Sequence, residues 1–315
     1  GNTTLGINGL HKATVQKVYM DNNQRSNIGY LGRASYSYDD RYFFTGSYRR
    51  DGASVFGVNQ KWGDFFAFGG AWRLSSEKFM SSISYLDDLK LKLSWGKNGN
   101  QGLDPYGTLS TINNGASGGV RYEFGGSDII YGLNQKALGN ANLGWETTES
   151  WNTGFESAWL GSRLFVDLDL YFSKTTDQIF TRDIPVMTGF KNMKSSMGQV
   201  NNRGVELTIR SVNIDTQDWY WTTNLTFWLN RNKLIHLYGE DLDGDGREDD
   251  DISNSRFIGK PLGAIYGYLQ DGIVQETDVE YMKANGATPG IPKYKDMDND
   301  GVITSADRLI LRYSM

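Results

Sequence analysis

Between residues 30 and 74 the chain alternates with a period of two, and this limits its possible folds more than any other feature. In the string YLGRASYSYDD, Tyr30, Ala34, Tyr36 and Tyr38 share one parity, and Leu31, Arg33, Ser35 and Ser37 share the other. In the next stretch Tyr42, Phe44 and Tyr48 alternate with Thr45, Ser47 and Arg49. A strand turns successive side chains to opposite faces, so each segment predicts an aromatic row on one face and a polar row on the other. The link at Tyr38-Asp39-Asp40-Arg41 is minimal, whereas the next, residues 49–62, is long and rich in glycine, asparagine and charge. Short turns at one end of the strands and long loops at the other fit a chain that crosses a layer repeatedly.

The pattern recurs. Leu89, Leu91, Leu93 and Trp95 alternate with Lys90, Lys92 and Ser94, and Leu164, Val166, Leu168, Leu170 and Phe172 oppose Asp167 and Asp169. Residues 145–159, 204–211 and 219–230 read as further strands. Long connections are predicted at 49–62, 96–144, 173–199 and beyond 231, and short ones at 38–41, 161–162 and 213–217. Residues 75–86 change period: Phe79, Ile83 and Leu86 fit helical spacing, with Ser75 or Ser76 as cap, on the short-turn side. The prediction is all-β: an up-and-down antiparallel set of eight or nine strands, with long connections on one side only. Its charged faces would be unpaired in a dry sandwich core but solvated in a wet lumen. A sandwich or β-solenoid shows similar alternation and stands as the alternative.

Composition agrees with strands. Thirty-eight glycines, five prolines and 13% aromatics, with 18 Tyr and 9 Trp, argue against both disorder and a helical fold. No run of about 18 apolar residues is present, which excludes a membrane-spanning helix but not a barrel, whose strands need about 9–11 residues each. The net charge of −5 offers no global basic field, so no nucleic-acid partner is expected. The absence of cysteine removes disulfides, thiolate metal sites and cysteine nucleophiles. The first residues lack a signal-peptide pattern and the strand pattern runs on to residues 313–315, so the chain reads as an internal piece of a longer protein. The expected division is a loop or partial strand over 1–27, strands with short turns and long loops over 28–231, and a long loop region with following strands over 232–315.

The sharpest local motif lies in that last part. Asp296, Asp298 and Asp300, Gly301 at the sixth position and Asp307 at the twelfth match an EF-hand-like calcium loop, with the Val302 carbonyl and Thr304 as further ligands. Aspartate at the twelfth position has a shorter reach than the usual glutamate, and the bland reading is a solvated acidic turn. Asp241, Asp243 and Asp245, followed by Gly246, repeat the first half of the motif, but Ile252 stands where the closing ligand belongs. A charged surface loop is the favoured reading there, with a weak calcium site as the alternative. Ca2+ is expected as a structural ion.

Enzyme readings lack parts. His11 and His236 have no partner motif, and no HExxH, GxSxG, P-loop or dinucleotide fingerprint occurs. Among 37 acidic residues nothing singles out a glycosidase pair. Loop aromatics Phe56, Tyr106, Tyr122, Phe124 and Tyr131 suit stacking on sugar or contact with a covering partner, whereas Trp62, Trp72, Trp145, Trp159, Trp219 and Trp221 suit interfacial girdles.

Several longer strings resemble the SusC/RagA family of TonB-linked outer-membrane transporters of the Bacteroidetes type. They are RRDGASVFG with KWGDFFAFGGAWRLSSEKFM, LDDLKLKLSWGKNGNQG with DPYG, NLGWETTESWNTGFE, RLFVDLDLYFSKTTDQIF, MGQVNNRGVELTI and IGKPLGAIYGYLQDGI. They follow one another at family-like spacing from about residue 25 onward. The resemblance implies an up-and-down transmembrane β-barrel of about 22 strands, plugged in its lumen. This chain would supply middle-to-late strands, with plug, TonB box and terminal strands outside it. It further implies outer-membrane lipid around the wall, a SusD-like lipoprotein lid over the long loops, TonB acting through the N-terminal part, and an oligosaccharide or peptide as cargo. The alternative is a secreted all-β, calcium-stabilised binding or adhesion module.

Overall fold

The aromatic–polar alternation folds into long antiparallel strands. The structure is a computed structural model that describes residues 22–114, 121–123, 129–190 and 192–312. Residues 1–21, with His11 and most of the predicted 1–27 loop or strand, lie outside the described residues. The strands are β1 (Asn27–Tyr38), β2 (Tyr42–Ala53), β3 (Trp62–Arg73) and β4 (Leu86–Asn100). Within the long connection come β5 (Thr111–Asn114), β6 (Arg121–Glu123), β7 (Ile129–Tyr131) and β8 (Leu133–Ala137). Then follow β9 (Glu146–Trp159), β10 (Leu164–Asp183), β11 (Asn192–Asp215) and β12 (Tyr220–His236). One eight-stranded sheet has the order β1-β2-β3-β4-β9-β10-β11-β12, each strand antiparallel to the next and the sheet open at β1 and β12. Consecutive crossings are neighbours, as in a barrel wall; no second sheet packs face to face on it among the described residues.

Cross-strand register sorts the side chains into two faces. Tyr36 pairs with Phe44, Phe44 with Gly70, Gly70 with Leu93, Leu93 with Thr153, Thr153 with Leu170, Leu170 with Val205 and Val205 with Leu229. The next row toward the short turns is Tyr38-Tyr42-Trp72-Leu91-Phe155-Leu168-Leu207-Phe227. Partners directly opposite point the same way, so these two rows make a face that is apolar but for Thr153 and the bare Gly70. It is also exposed: Phe44, Leu93, Leu170 and Phe227 are all open to the surroundings. The opposite parity carries Ser47, Lys90, Lys92, Asn152, Glu156, Asp167, Asp169, Glu206 and Thr226.

The turns divide as predicted. β1 and β2 are joined by three residues, with Asp39 and Asp40 in the left-handed region and the Arg41 amide donating to the Tyr38 carbonyl at 3.0 Å; aspartate tolerates that conformation well. The β9–β10 turn puts Leu160, Gly161 and Ser162 at positive φ and ties the Ser162 amide to Asp87 Oδ2 at 2.7 Å.

Four connections differ from expectation. Residues 75–86 form two 3-10 turns, Leu74–Ser76 and Lys78–Met80, rather than a helix. Glu77, extended between the two turns, breaks the helical run, and its carboxylate ties the segment to the sheet by accepting from Tyr42 Oη (2.7 Å) and Trp72 Nε1 (3.1 Å). The loop expected at 49–62 shrinks because β2 continues to Ala53. The loop expected at 173–199 is mostly strand, since β10 runs 20 residues and β11 runs 24. Beyond the apolar rows most side chains are polar and apolar ones such as Phe180 and Val200 turn into a separate buried core, so the period-two signal is lost while the backbone ladder continues. The connection predicted at 96–144 carries two small ribbons, β5·β8 and β6·β7. Past β12 lie two further ribbons, in which β13 (Ile265–Tyr268) pairs with β16 (Arg308–Arg312) and β14 (Gln270–Ile273) with β15 (Pro292–Tyr294), and one short helix, α1 (Val279–Asn285).

Candidate functional site

The polar face holds a charge cluster level with the Trp72–Leu91 row, toward the short turns. Lys92 Nζ lies 3.2 Å from Glu156 Oε1, 3.0 Å from Asp167 Oδ1 and 3.2 Å from Asp169 Oδ2, and Lys90 Nζ lies 3.4 Å from Glu156 Oε2. The lysine reaches β10 because Gly154 stands between them on β9. A Cβ there would come within 2.1 Å of the Leu168 carbonyl and 2.6 Å of Asp169 Oδ1. Gly204 acts likewise for Tyr171, whose ring lies over it while its hydroxyl donates to Asn230 Oδ1 at 3.0 Å. One ammonium surrounded by three carboxylates on an otherwise hydroxyl- and amide-rich wall is a wet surface. The strings LKLKL and VDLDL carried this signal, since their charges share the parity that faces inward.

Aromatic residues close the apolar face at both ends. Tyr42 stacks on Trp72 (centroids 6.3 Å apart, planes 16°) and Tyr85 on Trp159 (5.9 Å, 14°) near the short turns. Tyr30 stacks on Trp62 (6.4 Å, 15°) near the long loops, with the Arg50 guanidinium 5.5 Å from that ring centre. Trp219 and Trp221 are exposed at the start of β12. Trp145 departs from the girdle reading. It packs 4.8 Å from Phe56 and 5.4 Å from Phe65, with Nε1 donating to the Lys61 carbonyl at 3.3 Å. It therefore belongs to a core under the long loops, with Ala53, Val55, Leu103 and Leu143. Phe56 is buried in that same core and offers no face for stacking. Tyr106 stays exposed at φ 63°; Phe124 and the side chains of Tyr122 and Tyr131 lie outside the described residues.

Two recesses open at this mouth. One of about 560 Å³ is lined by Ser54, Phe56, Lys61, Tyr106 and Thr108. The other, of about 530 Å³, is lined by Arg49, Asp51, Phe65, Asn98, Gln101 and Trp145. A second core, Phe180, Val200, Leu234 and Leu237, joins the tops of β10, β11 and β12 to the segment after β12. Above it the Tyr238 hydroxyl donates to Asp251 Oδ2 at 3.0 Å and accepts from Arg256 Nη1 at 2.8 Å. Burial pushes that hydroxyl up to about 12, aided by Asp251. His236 Nδ1 lies 2.5 Å from Glu248 Oε2 in the same clasp.

The two acidic loops share one backbone pattern. Asp296 accepts from the amides of Asn299 (2.6 Å) and Gly301 (2.7 Å), and Asp241 accepts from Gly244 (2.8 Å) and Gly246 (3.0 Å). Asp300 accepts from Val302 and Asp245 from Arg247, at 2.8 and 2.7 Å. Oxygens of Asp296, Asp298 and Asp307 lie within 4.8 Å of one another, as do those of Asp241, Asp243 and Asp245. Asp300 stands outside the first group, and Thr304 Oγ1 accepts from the Ala306 amide. Asp307 is fully buried, its oxygens accepting from Met297 and Thr304 amides at 2.7 Å, which hold its carboxyl below the usual range. The Asp298 carboxyl is pushed up by desolvation and by the charges of Asp300 and Asp307.

Comparison with known proteins places this geometry. Residues 2–302 match the family model described as TonB dependent receptor-like, beta-barrel. The TonB-dependent receptor P3 of Formosa agariphila is 31% identical over 296 residues, covering 92% of this chain and 29% of that protein. The TonB-dependent receptor SusC of Bacteroides thetaiotaomicron is 31% identical over 297 residues, covering 90% of this chain and 28% of that protein. The chain thus spans less than a third of the length of these relatives. A solved structure of the RagAB peptide transporter superposes with a TM-score of 0.69 at 24% identity, over 92% of this chain and 29% of that one. That likeness is one of fold.

Proposed function

The chain belongs to the TonB-dependent receptor β-barrel family, and from that premise we propose that it is a wall segment of a SusC-like importer of nutrients. Proteins of this family are outer-membrane barrels, and this segment resides in that membrane. The observation that carries the proposal is the two-faced sheet: one apolar, exposed face across eight strands and one face built of charge, hydroxyl and amide. Such a wall separates acyl chains from a hydrated lumen. In the reading proposed here, cargo is captured at the outer mouth under a SusD-like lipoprotein lid. TonB, acting on the N-terminal part of the full protein, then opens the way through. The mouth's arginine, carboxamides and hydroxyls beside aromatic walls suit an oligosaccharide or a peptide alike, and the similarly folded RagAB is named as a peptide transporter. Cells deleted for the full-length protein should lose growth on one class of glycan or on peptides as sole carbon source, and regain it from a plasmid copy. Undiminished growth on every such source contradicts the proposal.

We also infer that residues 296–307 hold a structural Ca2+. Hard oxygens are the right donor type, and the carboxylate oxygens of Asp296, Asp298 and Asp307, within 4.8 Å of one another, gain from a cation between them. Asp300, the Val302 carbonyl and Thr304 would complete the shell, and residues 241–245 would form a weaker second site. The full-length protein should gain thermal stability and protease resistance at this loop in millimolar-range Ca2+ over chelator, and Asp296→Asn with Asp298→Asn should abolish the gain. Equal protection with and without Ca2+ contradicts the inference.

A further inference from the structure

The apolar face is not evenly filled. In the row Tyr36-Phe44-Gly70-Leu93-Thr153, the third position has no side chain and the fifth only a small one, while Phe44, Trp72, Leu91 and Leu93 stand up around them. The result is a mainly apolar groove of about 410 Å³ crossing β2, β3, β4 and β9. Glycine inside a strand weakens it, because it packs nothing, and such a residue often marks close approach by a ligand. No steric reason keeps Gly70 bare. A Cβ there would meet only the Phe43 carbonyl at 3.9 Å and Phe44 Cδ1 at 4.0 Å, which are ordinary contacts. This sets it apart from Gly154 and Gly204 on the lumen face, where an added atom collides.

The groove's position selects its occupant. It lies on the face that meets the bilayer, where plug, lid and cargo do not reach. Its lower wall, Tyr42 and Trp72, is the aromatic row nearest the short turns, which mark the periplasmic end of such a barrel. Rows on one face are about 7 Å apart, so the groove falls in the half of the apolar band next to the periplasm. Below it, Glu77 clamps Tyr42 Oη and Trp72 Nε1 and accepts from Arg41 at 3.4 Å, so this wall is fixed rather than able to collapse into the gap. Acyl chains gain little from the hydrophobic effect against a wall already in lipid; what a preformed groove adds is van der Waals contact on several sides.

We propose that this groove is a binding site for one acyl chain of a periplasmic-leaflet phospholipid. The full-length protein, delipidated in detergent and titrated with palmitoyl-oleoyl phosphatidylethanolamine, should hold one more lipid by native mass spectrometry than Gly70→Phe, whose ring fills the groove. The apparent Kd of that lipid should rise at least tenfold in the variant. Heat-modifiable migration on a gel reports that the variant barrel is folded; if Gly70→Phe does not assemble, Gly70→Val gives the same reading with a smaller shift. An equal count and affinity in wild type and variant overturns the proposal. So does preferential retention of lipopolysaccharide, or a dimer that falls apart in the variant, because either gives the groove to another occupant.

Discussion

Lys92 shows at the scale of one residue how the wall works. Its ammonium is shared by Glu156, Asp167 and Asp169, side chains that are all partly exposed, so water screens the cluster and its net worth is modest. Lys92→Met should therefore cost about 1 kcal/mol in reversible unfolding from detergent, whereas Gly154→Ala, which overpacks the same spot, should cost about 1–3 kcal/mol. Glu77 at the short turns makes a pH prediction. Hydrogen bonds from Tyr42 and Trp72, with Arg41 beside it, hold its carboxyl below the usual range. A depressed folded-state value gives stability that is present above the unfolded glutamate pKa, about 4.3, and is lost as pH falls through the folded value. Stability measured from pH 6 downward should show an acid-side loss that Glu77→Gln diminishes. An identical acid profile in the two proteins counts against the clamp.

Individual elements were legible in proportion to how differently their two faces are solvated. β1 and the LKLKL part of β4 stood out because one face meets lipid and the other water. The upper parts of β10 and β11 did not, although they are strands through Asp183 and from Asn192. Their few apolar side chains, such as Phe180 and Val200, pack into a separate core without regular alternation, and those residues read as loop. The core of Phe180, Val200, Leu234 and Leu237 that braces these extensions is equally hidden in sequence, since its members come from three separate segments. Leu237→Ala should cost about 2–5 kcal/mol locally. Limited proteolysis should then cut within residues 237–262 while the lower strands stay protected, as expected for a subglobal opening. Uniform loss of protection throughout the chain would show instead that this core holds the whole sheet. The acidic loops were legible from spacing alone, but not the burial of Asp307 nor the exclusion of Asp300 from the converging group.

For the whole molecule, the account rests on which medium each face meets. The up-and-down strand order, open at β1 and β12, is that of a barrel wall once the apolar face is assigned to lipid and the polar face to a pore. Sequence alternation by itself left a dry sandwich open; the single continuous sheet and the family match decide for a barrel wall. Trp145 and Phe56 were misplaced because an aromatic residue at a strand end looks alike in a girdle and in a loop core. The segment has no cysteine, so within it single spin labels can be placed at will once any cysteine elsewhere in the full-length protein is replaced. The most direct test puts labels one at a time along β2, β4 and β12 of the full-length protein in lipid vesicles and measures collision with oxygen and with a water-soluble nickel chelate. The account predicts that Phe44, Leu93 and Phe227 favour oxygen while Ser47, Ser94 and Thr226 favour nickel, alternating residue by residue. If instead the sites of the apolar row were shielded from both reagents, that row would be packed against protein and the wall would not be a wall.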